Sequence, residues 1–250
     1  MTDVILNALN SSQLNNENIS FSAIRRIAGI DYDIWNELGR GRAILTSVEQ
    51  LDQYLYSYGP MIKSQWDFVL DILDDPNCSV QLSDYACGQG LASVFFHDKF
   101  RNSELTIVEN INLIEPSFIA LKRAIGILQC CYPNARVSGA NKLLDEVLEE
   151  EIVLSAESLK VHLFSNILDV EGFDQRTLFN KVFSIAGRHW IIAVSHDRDH
   201  NGGSARVRDT YFSLLDDELD GRYTVTECDM QNFNCQRGQR AIAFIIKLEI

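Results

Sequence analysis

The stretch Asp84-Tyr85-Ala86-Cys87-Gly88-Gln89-Gly90 decides the fold of this chain. An apolar run over residues 78–83 leads into it, and a second apolar run over residues 91–96 follows it. This order predicts a strand, a glycine turn and a helix. Because glycine has no Cβ, the turn lets the backbone approach a nucleotide-like ligand closely. Tight turns also use glycine for structural reasons alone, and Ser93 stands where the dinucleotide-binding fingerprint has its third glycine.

The composition limits the possible partners of the chain. It has 250 residues, of which 46% are hydrophobic, and its formal net charge is −13. This length allows one α/β domain with an N-terminal extension, and the hydrophobic share is ordinary for a globular protein. Because non-specific nucleic-acid binding is mostly electrostatic, an acidic surface disfavours a free-standing nucleic-acid binder. A basic pocket or a basic partner chain would reverse that preference locally.

The six cysteines are too sparse for a disulfide framework and include no Cys-x-x-Cys pair: Cys78, Cys87, Cys130, Cys131, Cys228 and Cys235. We expect free thiols in a reducing compartment and no metal site. The first residues lack the basic start and apolar core of a signal peptide, and no apolar run approaches the ~20 residues of a membrane span. The expectation is a cytoplasmic protein that does not contact a membrane.

Helix-like spacing dominates the first part of the chain, and strands alternate with helices afterwards. Residues 1–75 are predicted to form a helical cap or lid, with helices at 47–58 and 61–73, and residues 76–250 a ligand-binding domain. Strands are predicted at 80–84, 135–138, 161–164, 190–195, 223–227 and 241–248. A further strand, the second in chain order, is predicted to end at residue 114. Helices are predicted at 90–97, 117–131, 143–151, 175–185 and 209–219. This alternation predicts an α/β fold with a mostly parallel sheet, helices on both faces and an antiparallel closing pair of strands.

Two further strand ends carry polar groups that suit a ligand site. Glu115 follows the second strand, 25 residues after Gly90. Its carboxylate would either accept the hydroxyls of a ribose or stabilise the N-terminus of the helix that opens at Pro116. The run Ser165-Asn166-Ile167-Leu168-Asp169 ends the fourth strand, as a site lip or as a helix cap.

The segment over residues 195–203, after the fifth strand, is polar and glycine-containing. His196 could serve there as a general base. His196 and His200 could instead bind a metal with Asp197, or the segment is a solvated turn. The arginines that follow, Arg206 and Arg208, would clamp an anionic group or pair with acidic side chains.

The predicted cap is rich in aromatic residues: Trp35, Tyr54, Tyr56, Tyr58 and Trp66. These rings either form part of the core or stack on a planar substrate or on the cofactor. The turn at 56–61 contains a Gly-Pro break between two predicted helices, and it is the best candidate for a lid.

The order of these motifs resembles that of class I S-adenosylmethionine-dependent methyltransferases, which have a Rossmann-like fold. Residues 84–90 resemble their first motif, acid-x-x-x-Gly-x-Gly, and Leu113-Ile114-Glu115 resembles their second. Leu163-Phe164-Ser165-Asn166-Ile167-Leu168 lies where their fourth motif is expected, and the closing strand pair resembles their reversed seventh strand. The resemblance covers roughly residues 60–250.

The resemblance implies S-adenosylmethionine as the cofactor and assigns a binding role to ten positions. The first motif would line the amino-acid half of the cofactor, Glu115 would hold the ribose, and Asn141 stands near the adenine where family members often have an acid. Ser165 and Asn166 would face the methionine portion or the acceptor. The implied set is Asp84, Ala86, Cys87, Gly88, Gly90, Glu115, Pro116, Asn141, Ser165 and Asn166.

The function implied by the resemblance is methyl transfer to an unassigned acceptor. The acidic charge favours a small molecule or a protein side chain over free nucleic acid, and the fourth-strand motif lacks the prolines of amino-methylating nucleic-acid enzymes. Ser165, Asn166 and His196 are the candidate catalytic residues. The alternatives are a catalytically inactive, cofactor-binding regulatory or assembly subunit and, third, a nicotinamide-dependent oxidoreductase.

Overall fold

The computed structural model describes residues 2–152, 157–198, 203–219 and 221–250. Within these ranges, seven strands form one sheet: β1 Ser79–Tyr85, β2 Ile107–Ile114, β3 Arg136–Ala140, β4 Leu159–Ser165, β5 Arg188–His196, β6 Thr224–Asn234 and β7 Arg240–Glu249. The strand order is β3-β2-β1-β4-β5-β7-β6. Neighbours from β3 to β5 pair in parallel, and β7 runs antiparallel to both β5 and β6.

Eight α-helices accompany the sheet in the described residues: α1 Val4–Asn10, α2 Phe21–Ile27, α3 Val48–Ser57, α4 Gly59–Asp71, α5 Leu91–Phe100, α6 Phe118–Cys131, α7 Gln175–Val182 and α8 Gly203–Leu219. Short 3₁₀ segments lie at Tyr32–Gly41, Leu144–Glu146, Glu149–Glu151 and Gln236–Gly238. Side-chain oxygens of Ser47 and Ser117 accept backbone N–H groups at the first turns of α3 and α6. No helix in the described ranges is long and apolar enough to cross a bilayer.

The predicted Rossmann-like class, with a mostly parallel sheet and a reversed closing strand, is confirmed by this topology. The chain leaves β1 toward β2 on one side and later places β4 on the other side. In such a sheet, ligands bind beyond the carboxyl ends of the strands at this switch point. A ligand site is therefore expected among the residues that follow β1, β2 and β4.

Three predicted elements differ from the structure. The helix predicted over 143–151 is two 3₁₀ turns, because Leu148 between them is extended and the Glu146 and Glu151 carboxylates cap their own turns. Helix α8 begins at Gly203, earlier than predicted. Strand β6 continues to Asn234 through a segment predicted as a polar connection, because this edge strand pairs with β7 and most of its side chains are exposed, so polar residues fit there.

The N-terminal helices pack on the same apolar core as the sheet. Ile5, Ile24 and Trp66 are fully buried and belong to one cluster with Val80 of β1 and Phe96 of α5. The predicted boundary near residue 75 lies in the connection between α4 and β1. The division into a cap and a ligand-binding domain stays a prediction.

A buried ionic network joins the N-terminal helices to α6 and to the glycine turn. Arg123 on α6 is fully buried, and its Nε lies 2.9 Å from the carboxylate of Asp3. Its Nη1 lies 2.6 Å from Asp52 on α3 and donates to Gln89 in the glycine turn at 2.9 Å. The second carboxylate oxygen of Asp52 accepts the N–H of Gly29 at 3.0 Å. Arg123 thus connects four distant segments in the interior.

A second buried network runs through the sheet. The hydroxyl of Tyr85 lies 3.1 Å from Nδ1 of His162, and Nε2 of His162 lies 3.0 Å from Nδ1 of His189. Nε2 of His189 donates to the carbonyl of Ile185 at 2.8 Å. With both imidazoles neutral, every group in this row has a partner. Burial lowers the pKa of His189 to about 4 and that of His162 well below its ordinary value.

These histidines should make the protein less stable in acid. In the unfolded chain they take up protons below pH 6.5, whereas the folded state keeps them neutral to lower pH. Their contribution is therefore complete above pH 6.5 and is lost as the pH falls. Between pH 7.5 and 5.5 the loss in unfolding free energy is about 1.4 kcal/mol for each histidine.

Urea unfolding at the two pH values measures this loss. In the variant His189→Asn, the loss in unfolding free energy between the two pH values should be smaller by the contribution of one histidine. Asp84 acts in the opposite direction, because burial raises the pKa of that carboxyl to about 7. The comparison of variant with parent cancels this contribution. An unchanged pH dependence in the variant would show that His189 is not buried as a neutral group.

Candidate functional site

The glycine turn joins β1 to α5 through three left-handed residues. Ala86, Gly88 and Gly90 have φ angles of 52°, 54° and 77°. A Cβ at Gly88 would meet no described atom within 4 Å, whereas a Cβ at Gly90 would lie 3.2 Å from the Cβ of Ala124 on α6. Gly90 is therefore required for helix packing, and Gly88 leaves open space beside the backbone.

Alanine substitutions should separate these two roles. Gly88→Ala is expected to cost about 1–2 kcal/mol of stability from the left-handed backbone alone. Gly90→Ala should cost more, because crowding against α6 adds to the same backbone penalty. Chemical denaturation checks the order of the two variants, and equal losses would contradict the assignment of Gly90 to packing.

Glu115 lies between the glycine turn and the start of α6. Only 7% of its surface is exposed. One carboxylate oxygen accepts the N–H of Gly88 at 2.8 Å, and the other accepts the N–H of Ser117 at 2.9 Å. Burial raises the pKa of this carboxyl, and the two N–H donors oppose that shift. The side chain therefore serves the helix N-terminus and at the same time reaches the glycine turn.

Asn141 fixes the backbone that carries Glu115. Its amide nitrogen donates to the carbonyl of Glu115 at 2.9 Å and to that of Pro116 at 2.8 Å. The amide predicted to approach an adenine is thus bound to the main chain after β2. In this arrangement Asn141 positions Glu115.

A cavity of about 150 Å³ lies at the carboxyl ends of β1, β2 and β4. Six of the ten residues implied by the sequence line it: Ala86, Gly88, Glu115, Pro116, Ser165 and Asn166. Asp84, Cys87, Gly90 and Asn141 are not among the lining residues. The sequence motifs thus converge on one cavity, although part of the set lies behind its wall.

Asp84 is the clearest example of a motif residue behind the wall. It is fully buried, and its Oδ2 accepts the hydroxyl of Ser93 at 2.7 Å. Its Oδ1 has no hydrogen-bond partner among the described residues. Burial raises the pKa of this carboxyl to about 7. The acid of the first motif therefore bonds to α5 and does not face the cavity.

The wall opposite the glycine turn comes from segments that the sequence motifs did not identify. Residues Gly41–Leu45 form the roof of the cavity, and Tyr54 lines it beside them. The hydroxyl of Ser117 donates to the carbonyl of Leu45 at 2.5 Å. Tyr54 is one of the aromatic residues by which the sequence marks the predicted cap. Residues 41–45 match no motif, because they reach the cavity only through tertiary contacts.

Ser165 and Asn166 face helix α4 at the end of β4. The indole nitrogen of Trp66 donates to the hydroxyl of Ser165 at 3.0 Å. The amides of Asn166 and Gln65 exchange two hydrogen bonds, of 2.8 Å and 3.1 Å. Asn166 has a φ of 55°. These contacts hold both side chains at the cavity edge in one orientation.

His196 ends β5 and lines a neighbouring cavity. Burial, assisted by the charge of Arg198, lowers its pKa to about 4, so that the imidazole is neutral. His200, the second histidine of the possible metal site, lies outside the described residues. In the described part of the chain, no cluster of three or more His, Cys, Asp or Glu side chains is placed to hold a metal ion.

Arg206 and Arg208 make contacts within the fold. Arg206 donates to the carbonyl of Phe173 at 2.6 Å, and Arg208 lies 3.7 Å from the carboxylate of Asp197. Arg208 thus pairs with an acidic side chain, which is the alternative to clamping an anionic group.

Comparison with known proteins gives similarity of structure only. No protein-family model matches this chain, and no curated protein matches it. The chain is similar to geranyl diphosphate C-methyltransferase from Streptomyces coelicolor A3(2), with 12% identity, coverage of 80% and 83% of the two chains and a TM-score of 0.47. A methyltransferase from Leishmania major shows 12% identity, coverage of 86% and 82%, and a TM-score of 0.47.

A further similar structure, an rRNA methylase from Streptococcus thermophilus, has 16% identity, coverage of 76% and 96%, and a TM-score of 0.43. At these values the similarities assign neither a family nor an activity to the chain.

Proposed function

We propose that this chain is an S-adenosylmethionine-dependent methyltransferase that acts on a small molecule or a protein side chain. The observation that carries the proposal is the position of the Glu115 carboxylate. It lies in the cavity wall after β2, next to the open backbone of Gly88. An acid at this place in a Rossmann-like sheet accepts hydrogen bonds from ribose hydroxyls.

The cavity fits a nucleoside cofactor in chemistry, but its roof must move to admit one. Small-molecule pockets measure about 300–1,000 Å³, whereas this cavity measures about 150 Å³. Three residues at the start of this roof segment, Gly39, Arg40 and Gly41, have left-handed backbone conformations. We infer that this segment of the predicted cap, residues 1–75, swings outward on binding and serves as the lid over the domain formed by residues 76–250.

When bound, S-adenosylmethionine supplies a methyl group on a positively charged sulfur, and the carbon–sulfur bond breaks as the acceptor atom bonds to that carbon. The protein contributes mainly alignment. Glu115 and the Gly88 backbone orient the nucleoside, and Ser165 and Asn166 border the place where the acceptor arrives. His196 is neutral, but its lowered pKa of about 4 makes it a weak base, so it can take up only a proton that the acceptor releases readily.

The free thiols support a reducing compartment. All six cysteines are unpaired with one another. Burial raises the pKa of Cys87 and Cys131, which keeps both as unreactive thiols. We infer that the protein works in the cytoplasm.

The test is transfer of a labelled methyl group from S-adenosylmethionine to fractions that contain metabolites, proteins, RNA or DNA. The expected result is label in the metabolite or protein fraction, with formation of S-adenosylhomocysteine. Label in nucleic acid alone would contradict the acceptor class. Absence of S-adenosylmethionine binding would contradict the function.

A second candidate is a cofactor-binding regulatory subunit without turnover. The polar groups of Ser165 and Asn166 are already bonded to Trp66 and Gln65, which favours a structural role for the end of β4. Binding of S-adenosylmethionine without transfer to any fraction would support this candidate.

A further inference from the structure

A second, larger cavity lies beside the first. It measures about 710 Å³ and is lined at the end of β5 by His196, Asp197 and Arg198. The two cavities meet along adjacent residues: Arg40 lines the second and Gly41 the first, and the rings of Tyr54 and Tyr58 lie 5.1 Å apart across the same boundary. A molecule in the second cavity would therefore lie next to the proposed cofactor.

This second cavity is basic, although the chain is acidic. Four arginines line it: Arg25, Arg40, Arg198 and Arg240. Among the described residues, one carboxylate lines it, that of Asp197, which lies 2.6 Å from the guanidinium of Arg240 and 3.7 Å from that of Arg208. His196 is neutral and adds no charge. The described residues that line the cavity thus carry a net positive charge, in a protein whose formal net charge is −13.

Three of these arginines have no acidic partner among the described residues, and one of the three, Arg25, is held by Tyr56 instead. Among the described residues, Arg40 and Arg198 form no ion pair. Both charges act on the hydroxyl of Tyr58, where they oppose the effect of burial, which raises the pKa of that tyrosine. Both arginines also line the same cavity, so an anion bound there would be attracted by two guanidinium groups that no carboxylate neutralises.

Aromatic rings form another part of the wall. Arg25 lies over the ring of Tyr56 at 4.8 Å and donates to its carbonyl at 3.3 Å, so that both side chains are fixed. Trp35, which also lines the cavity, is 48% exposed. A planar molecule with an anionic group matches this combination of rings and unpaired guanidinium groups.

We propose that this arginine-lined cavity binds the methyl acceptor, and that the acceptor is a small planar molecule held through a carboxylate or phosphate by Arg40 and Arg198. The inference rests on the proposed function, because the proposed cofactor site lies on the other side of Tyr54 and Tyr58. It narrows the acceptor to anionic small molecules.

Calorimetric titration of the full chain with benzoate and with phenyl phosphate at low ionic strength tests the proposal, with benzamide as the neutral control. At least one anion should bind with millimolar affinity, benzamide should not, and added NaCl should weaken the binding. The tighter of the two anions identifies carboxylate or phosphate as the anionic group.

The double variant Arg40→Gln/Arg198→Gln should weaken binding of that anion at least tenfold. Arg136→Gln is the matched control, since Arg136 is an exposed residue at the opposite end of the sheet. Equal unfolding midpoints of the variants verify that folding is intact. Absence of anion binding at 10 mM (about the weakest affinity such a fragment would show), or equal affinity in the double variant, would overturn the proposal.

Titration of the same samples with S-adenosylhomocysteine separates the two hypotheses. Binding of S-adenosylhomocysteine without anion binding rejects only the acceptor inference. Anion binding without S-adenosylhomocysteine binding rejects the proposed function and leaves an anion site.

Discussion

Replacement of Glu115 by alanine is expected to weaken binding of S-adenosylhomocysteine by about ten- to a hundredfold. The physical reason is the loss of a buried acceptor for ribose hydroxyls, which costs about 1–3 kcal/mol. The same substitution removes the acceptor of the Gly88 and Ser117 N–H groups, so the glycine turn also loses its support. Calorimetric titration of parent and variant measures the change.

Two further variants make this result specific to Glu115. Glu115→Gln keeps the size of the side chain and one acceptor oxygen, and we expect its affinity to lie between those of the parent and the alanine variant. Glu104→Ala removes an exposed carboxylate between α5 and β2, and its affinity should equal that of the parent. Unchanged affinity in Glu115→Ala would remove Glu115 from the site.

Replacement of Arg123 by alanine is expected to lower the unfolding free energy by about 3–5 kcal/mol. Arg123 is fully buried between Asp3 and Asp52, and its removal leaves the Asp52 carboxylate in the interior without its cation. Gln89, which lines the cavity, loses a hydrogen bond at the same time. Urea unfolding near neutral pH measures the loss.

The matched control is Arg136→Ala, which removes an exposed arginine from β3 and should change stability by less than about 0.5 kcal/mol. A loss below about 1 kcal/mol in Arg123→Ala would mean that the network adds little to stability. In that case the N-terminal helices would be held by apolar packing alone.

The glycine turn and Glu115 could be predicted because their signals are local. A strand, a tight turn and a helix leave a continuous pattern in the sequence, and an acid at the end of the next strand follows at a fixed distance. The burial of Asp84 could not be read in the same way. It lies on a parallel strand that is covered on both faces, so its side chain enters the interior although its position in the motif suggested the site.

The roof and the arginine-lined cavity could not be predicted because they arise from tertiary contacts. Leu45 reaches Ser117, Gln65 reaches Asn166 and Trp66 reaches Ser165 across large sequence separations. Arg25, Arg40 and Arg198 come from three segments without a common motif. Only the fold shows that these charges share a cavity in an acidic protein.

The central claim is tested most directly by calorimetric titration of the unmodified chain with S-adenosylhomocysteine and, in a separate experiment, with NAD. We predict binding of S-adenosylhomocysteine at one site per chain and no binding of NAD. Binding of NAD alone, or of neither ligand, would contradict the assignment of this cavity to S-adenosylmethionine.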